Sequence, residues 1–139
     1  MNIVVIEDNQ DHAKILKWAF EQHGRSDHLT FLPDPKVALD FIEGAARVSA
    51  ITPDLIILDL NLPKIDGRSV LQKLKSNEST RTIPIIVLSS SEREEDVRKA
   101  YHLGANTYVS KGLLLDQISS TLKTILDYWS HVAQLPSRK

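Results

Sequence analysis

The chain has 139 residues, 42% hydrophobic and 25% charged, and seventeen basic against eighteen acidic side chains leave a formal net charge of −1. That composition excludes a disordered chain, and the charge balance excludes the basic footprint of a general nucleic-acid binder. The sequence has no cysteine, which excludes disulfide scaffolds, zinc ribbons and thiol catalysis.

One domain is the expectation for this length, with about two-thirds of the unfolded surface buried. No apolar run approaches the ~18 residues of a membrane span. Met1-Asn2-Ile3-Val4 opens no secretory signal, because no charged segment precedes a long apolar one. The expected location is therefore the cytoplasm, with neither membrane nor nucleic acid as partner.

In chain order, short apolar runs alternate with amphipathic stretches. Ile3-Val4-Val5-Ile6, Leu29-Thr30-Phe31-Leu32, Leu55-Ile56-Ile57-Leu58, Ile85-Ile86-Val87-Leu88 and Thr107-Tyr108-Val109 read as strands. Three of these are apolar at every position, which suits strands of a parallel sheet buried on both faces. After the first strand, Ala13, Leu16, Ala19, Phe20 and His23 share a helix face that Gly24 can close. Asp34-Pro35 reads as an N-cap and first-turn proline, with Val37, Ala38, Phe41 and Ile42 as the apolar stripe and Gly44 as the end. The segment from Glu43 to Pro53 is the longest irregular connection. Val70, Leu71 and Leu74 mark a third helix. Ser91-Glu92-Arg93-Glu94 is a capping-box pattern opening a fourth, with Val97, Ala100 and Tyr101 inward and Gly104 at its end. Leu115, Ile118, Leu122, Ile125, Leu126 and Trp129 form the clearest helical stripe.

Strand followed by helix, five times over, gives an α/β fold with a parallel sheet and helices on both faces. Five strands in this length favour the flavodoxin-like, doubly wound (βα)5 sandwich with strand order 2-1-3-4-5. A closed eight-stranded barrel needs about 250 residues.

In such sheets the functional crevice lies at the carboxyl ends of the strands. The first strand ends in Glu7-Asp8 and the third in Asp59, with Asn61 two residues on. The fourth ends in Ser89-Ser90-Ser91, and the fifth is followed by Ser110-Lys111. The first and third strands are neighbours, so three carboxylates converge. Two like charges 4 Å apart repel by roughly 4 kcal/mol at an effective dielectric of 20. A cation or raised pKa values must relieve that cluster. Oxygen ligands without histidine or cysteine point to Mg2+ or Mn2+. Ser89 and Lys111, facing the carboxylates, suit phosphoryl oxygens. The set reads as a phosphoryl-acceptor site with Asp59 as nucleophile. Ser91 reads as a helix cap, Glu92 to Asp96 as a solvated helix start, and His12 as a surface residue.

Ile6-Glu7-Asp8-Asn9, Leu58-Asp59-Leu60-Asn61-Leu62-Pro63, Asp66-Gly67, Val87-Leu88-Ser89 and Tyr108-Val109-Ser110-Lys111 together resemble the receiver domains of two-component response regulators. The resemblance spans nearly the whole chain. It implies a receiver over residues 1–130, a short tail over 131–139 and no output domain. It implies that Asp59 accepts a phosphoryl group from a histidine kinase. Asp8, Asp59 and the backbone carbonyl of Asn61 would ligate Mg2+ or Mn2+, with Glu7 acting through water. Ser89 and Lys111 would contact the phosphoryl oxygens. Tyr108 takes the place of the switch aromatic, and Asn61 and Ser91 occupy positions that tune hydrolysis. Lys111 is followed by Gly112 where most members have proline after a cis peptide. This difference, the segment Gly44 to Pro53 and the ending Asp127-Tyr128-Trp129 with Leu135-Pro136 resemble the stand-alone receivers that partner phytochrome kinases. Such relatives imply a homodimer through the fourth helix, fifth strand and fifth helix. The expected protein is a switch rather than an enzyme. Two other classes fit less of the pattern. An aspartate-nucleophile phosphohydrolase would carry Asp where Asn61 stands, and a pseudo-receiver binding module would not need the intact Glu7, Asp8, Asp59, Ser89 and Lys111 set.

Overall fold

The computed structural model describes residues 1–22, 28–46, 52–62, 66–112 and 117–136. Five parallel strands, β1 (Asn2–Ile6), β2 (His28–Leu32), β3 (Leu55–Asp59), β4 (Ile85–Ser89) and β5 (Thr107–Ser110), form one sheet in the order β2-β1-β3-β4-β5. This is the flavodoxin-like order expected. Among the described residues, helices run over α1 (Gln10–Gln22), α2 (Pro35–Ala45), α3 (Gly67–Ser76), α4 (Glu94–His102) and α5 (Ile118–Asp127). A single π-helical turn, Tyr128–Val132, continues α5.

β3 and β4 are buried at every position, because alternate side chains feed opposite faces and both faces are covered. Val4, Ile6, Ile56, Leu58, Ile85 and Val87 pack with α2, α3 and Ala100 of α4. Ile3, Val5, Leu55, Ile57, Ile86 and Leu88 pack with α1 and α5 on the other face. Every strand therefore delivers its carboxyl end to the same rim of the sandwich. Among the described residues no helix is long and apolar enough to cross a membrane.

Several local expectations hold. Asp34 caps α2, its Oδ1 accepting from the N–H groups of Lys36 and Val37, with Pro35 in the first turn. Val70, Leu71 and Leu74 are buried on α3. Gly104 ends the α4 segment with φ of 108°, a conformation open to glycine. Trp129 packs, partly buried, against the α1–α5 core and makes an edge contact to Tyr128 at a 5.1 Å centroid separation.

Others are corrected. The stripe of α2 is rotated by about one residue: Ala38, Leu39, Ile42 and Ala45 are buried, whereas Val37 is 53% and Phe41 39% exposed. The helix runs through Gly44 to Ala45, since Ala46 still donates to the Ile42 carbonyl. The capping box does not form. α4 starts at Glu94 behind Arg93, with no side-chain cap. Ser91 instead accepts from the Arg93 N–H and donates to Asp96, and its own N–H and carbonyl bond to Ser89 and Tyr108. Those contacts hold the 91–93 segment out of the helix. Tyr101, expected inward, is exposed, and its hydroxyl accepts from the Tyr108 N–H. His23, Gly24, Pro63, Leu115 and part of the Gly44–Pro53 connection lie outside the described residues.

Candidate phosphoryl-acceptor site

Glu7 and Asp8 follow β1, Asp59 is the last residue of β3, Ser89 ends β4, and Lys111 follows β5. Register aligns them: Ile6 pairs with Leu58, Asp59 with Leu88 and Ser89 with Ser110. Four strand ends thus bring their polar groups to one rim, as the sequence predicts.

Asp59 is only 1% exposed. Its Oδ1 accepts from the Asn61 N–H at 2.8 Å, and its Oδ2 from Lys111 Nζ at 2.8 Å. The same ammonium lies 3.2 Å from Glu7 Oε2 and 3.4 Å from Glu7 Oε1. Glu7 is 3% exposed, and its Oε1 also accepts from the Asn9 N–H. Carboxylate oxygens of Glu7, Asp8 and Asp59 come within 4.8 Å of one another. Three carboxylates face one ammonium, so the cluster carries excess negative charge in a poorly solvated place.

Burial raises the Glu7 carboxyl from 4.5 to about 7, with hydrogen bonding to Asp59 and the charge of Asp59 adding to it, while Lys111 and the Asn9 N–H oppose it. The folded protein keeps this proton up to about pH 7, and the unfolded chain releases it near 4.5. Folding stability should therefore fall as pH rises through that window and level off above it, by on the order of 3 kcal/mol. Cation affinity runs the other way, because a cation needs the carboxylate. Titration with Mg2+ should give an affinity about tenfold weaker one pH unit below this pKa than well above it. A pH-independent affinity across that range would contradict the assignment.

The donor set fits a hard divalent cation. All its ligand atoms are oxygens, and buried Glu7 Oε2 accepts no hydrogen bond despite lying near Lys111. Mg2+ or Mn2+ would be held by these carboxylates.

Ser89 is buried, and its Oγ accepts from the Ser91 N–H at 3.1 Å. Tyr108 is half-buried against the α2–α3 core and donates its hydroxyl to the Ser91 carbonyl at 2.8 Å. Ser91 thus joins the site hydroxyl to the aromatic ring. Asn61 spans the mouth, its side-chain oxygen accepting from the Ser90 N–H at 2.8 Å. The Lys111–Gly112 peptide is trans, since the described residues contain no cis bond.

Two residues escaped the sequence reading. His12 is not a free surface side chain: its Nδ1 lies 3.0 Å from Lys111 Nζ. The signal for it was Asn9, whose Oδ1 accepts from the N–H groups of Asp11 and His12 and so sets the first turn of α1 over the site. Asp96 is not merely part of a solvated helix start. It accepts from Ser91 Oγ and pairs with Arg68 Nη2 at 2.9 Å, and its carboxyl is held below the usual range by that hydroxyl first and by Arg68, Arg93 and Lys99 after it.

The family model for the response regulator receiver domain matches residues 3–123. The chain is 38% identical over 130 residues to the protein named "Probable methanogenesis regulatory protein FilR2" of Methanothrix harundinacea, covering 91% of this chain and 82% of that one. Response regulator Rcp1 of Synechocystis is 32% identical over 136 residues, covering 97% and 92%. The structure of the Mn2+-bound form of Rcp1 superposes with a TM-score of 0.84 over 97% of this chain and 98% of that one. The phosphorylated cyanobacterial phytochrome response regulator RcpA superposes with a TM-score of 0.87 at 35% identity, over 98% of each chain. The chain belongs to the response regulator receiver domain family of two-component signalling.

Proposed function

We propose that Asp59 accepts a phosphoryl group from a phosphohistidine on a partner histidine kinase, and that the protein works as a switch rather than a turnover enzyme. The observation that carries this is the buried Asp59 carboxylate, ion-paired to Lys111 at 2.8 Å within a three-carboxylate cluster beside Ser89. An Asp59 oxygen forms the new O–P bond while the donor's P–N bond breaks. The electron pair stays on the donor imidazole, which takes up a proton and leaves neutral. Asp8, Asp59 and the Asn61 carbonyl, with Glu7 acting through water, would hold Mg2+ or Mn2+, which would supply charge neutralisation. Lys111 turns one N–H to a phosphoryl oxygen, and Ser89 donates its hydroxyl to another. As Ser89 does so, its bond to Ser91 is exchanged, and Tyr108 senses the change through the Ser91 carbonyl.

Borohydride reduction tests the acceptor, because it converts an aspartyl phosphate to homoserine. After incubation with Mg2+ and a small phosphodonor, peptide mass spectrometry should find homoserine at position 59. Reduction at any other carboxylate would overturn the reading.

The partner we infer is a phytochrome-type kinase, acting in the cytoplasm. Its support is the likeness to RcpA, a phytochrome response regulator, and to Rcp1. Phosphotransfer from a panel of histidine kinases should be fastest with a phytochrome kinase. Strict preference for a kinase without a photoreceptor would remove this partner. A homodimer through α4, β5 and α5 is supported by exposed Tyr101 on α4, whose hydroxyl meets the β5 backbone at Tyr108, and by exposed Tyr128 at the end of α5. Sedimentation velocity showing monomer with and without phosphodonor would exclude it.

A further inference from the structure

The ammonium of a lysine has three N–H donors and no acceptor. At Lys111 each has a partner: Asp59 Oδ2 at 2.8 Å, Glu7 Oε1 at 3.4 Å and His12 Nδ1 at 3.0 Å. The first two belong to the acceptor site. The third does not, and it has a chemical consequence. A donor-only group can bond to a ring nitrogen only if that nitrogen is bare, so the His12 proton sits on Nε2.

We propose that His12 is a positioning residue for phosphoryl transfer, its Nδ1 accepting from Lys111 Nζ and so holding the ammonium at Asp59. The proposal rests on Asp59 being the acceptor. A lysine side chain loses much rotamer freedom when ordered, and partners that hold its tip remove that cost before the reaction. Both carboxylate partners of Lys111 change during transfer, because Asp59 becomes an acyl phosphate and Glu7 faces a cation. His12 is the partner that neither event consumes. Its own place is secured by the Asn9 side chain, which accepts from the His12 N–H at 3.1 Å. Its side chain is 26% exposed, so the ring holds the ammonium while staying in contact with solvent. Lys111 can then swing one N–H from Asp59 Oδ2 to a phosphoryl oxygen about the anchored His12 bond.

Two measurements test this. Nitrogen NMR of the wild-type protein at about pH 8, where an ordinary histidine is neutral, should show His12 as the Nε2–H tautomer. Its Nδ1 signal should shift in Lys111→Met. The second is the rate of Mg2+-dependent phosphorylation by acetyl phosphate. His12→Leu, which cannot accept, should be slower by about tenfold, the size of one hydrogen bond to a charged group. His12→Gln, whose carboxamide oxygen can accept, should recover most of the lost rate, which a merely structural role would not predict. An Nδ1–H tautomer, a signal blind to Lys111→Met, or a Leu variant as fast as wild type would each overturn the role while leaving Asp59 as acceptor. If wild type takes no phosphoryl group, the acceptor reading and the role of His12 fall together.

Discussion

An Asp59→Asn variant should take up no phosphoryl group from a small phosphodonor under conditions that label the wild-type protein, a loss of at least about a hundredfold. Asn matches Asp in size, so the change removes chemistry rather than volume. A carboxamide oxygen is a poor nucleophile, and no other carboxylate of the cluster is held in the same way. Glu7 is turned to Lys111 and the Asn9 N–H, whereas Asp59 is gripped through both oxygens, by Asn61 and by Lys111. The variant carries a second signature. Asp59 contributes both a hydrogen bond and a like charge to the raised Glu7 carboxyl. With that charge gone, Glu7 should titrate closer to an ordinary glutamate, and the fall of stability between pH 4.5 and about 7 should be shallower. Intact protein mass after labelling reads the first effect, and denaturation across that window reads the second. Labelling that persists in the variant would remove Asp59 from the acceptor role.

The sheet and its rim were legible because both rest on short-range rules. All-apolar runs such as Leu55 to Leu58 and Ile85 to Leu88 have only one comfortable home, a parallel strand covered on both faces. The doubly wound order favoured for five strands of this length then makes the first and third strands neighbours, and so brings Glu7, Asp8 and Asp59 together. What stayed hidden depends on rotation about an axis or on the direction of one side chain. Val37 and Phe41 are apolar and correctly spaced for a stripe, yet α2 turns Leu39 and Ala45 inward in their place. The Ser91 to Glu94 pattern is a sound helix start locally, but Ser89 and Tyr108, distant along the chain or committed to the site, take up the Ser91 backbone first. Asn9 places His12 in the first turn of α1, but no spacing reveals its contact, which is with a lysine ninety-nine residues away.

Gly67→Ala should destabilise the protein by about 3 kcal/mol or more, although it replaces a helix residue with a better helix former. Gly67 is buried in the first turn of α3, behind Asp66, whose Oδ1 accepts from the Arg68 N–H. A Cβ there would lie 2.5 Å from Leu60 Cα, 2.8 Å from its carbonyl oxygen and 2.9 Å from its carbonyl carbon. These are backbone atoms, so no rotamer change relieves the clash. Leu60 is itself tied to the sheet, its N–H donating to the Leu88 carbonyl at 2.8 Å. It also stands between Asp59 and Asn61, so any retreat of Leu60 drags the acceptor carboxylate and the mouth of the site with it. Weaker Mg2+ binding should therefore accompany the lower denaturation midpoint. Gly44→Ala is the matched control. Nothing lies within 4 Å of a Cβ at Gly44, which sits in the last turn of α2. There the same substitution should be neutral or stabilising by up to about 1 kcal/mol. Equal midpoints for Gly67→Ala and wild type would show that Leu60 can yield without cost, and that α3 does not brace the acceptor loop.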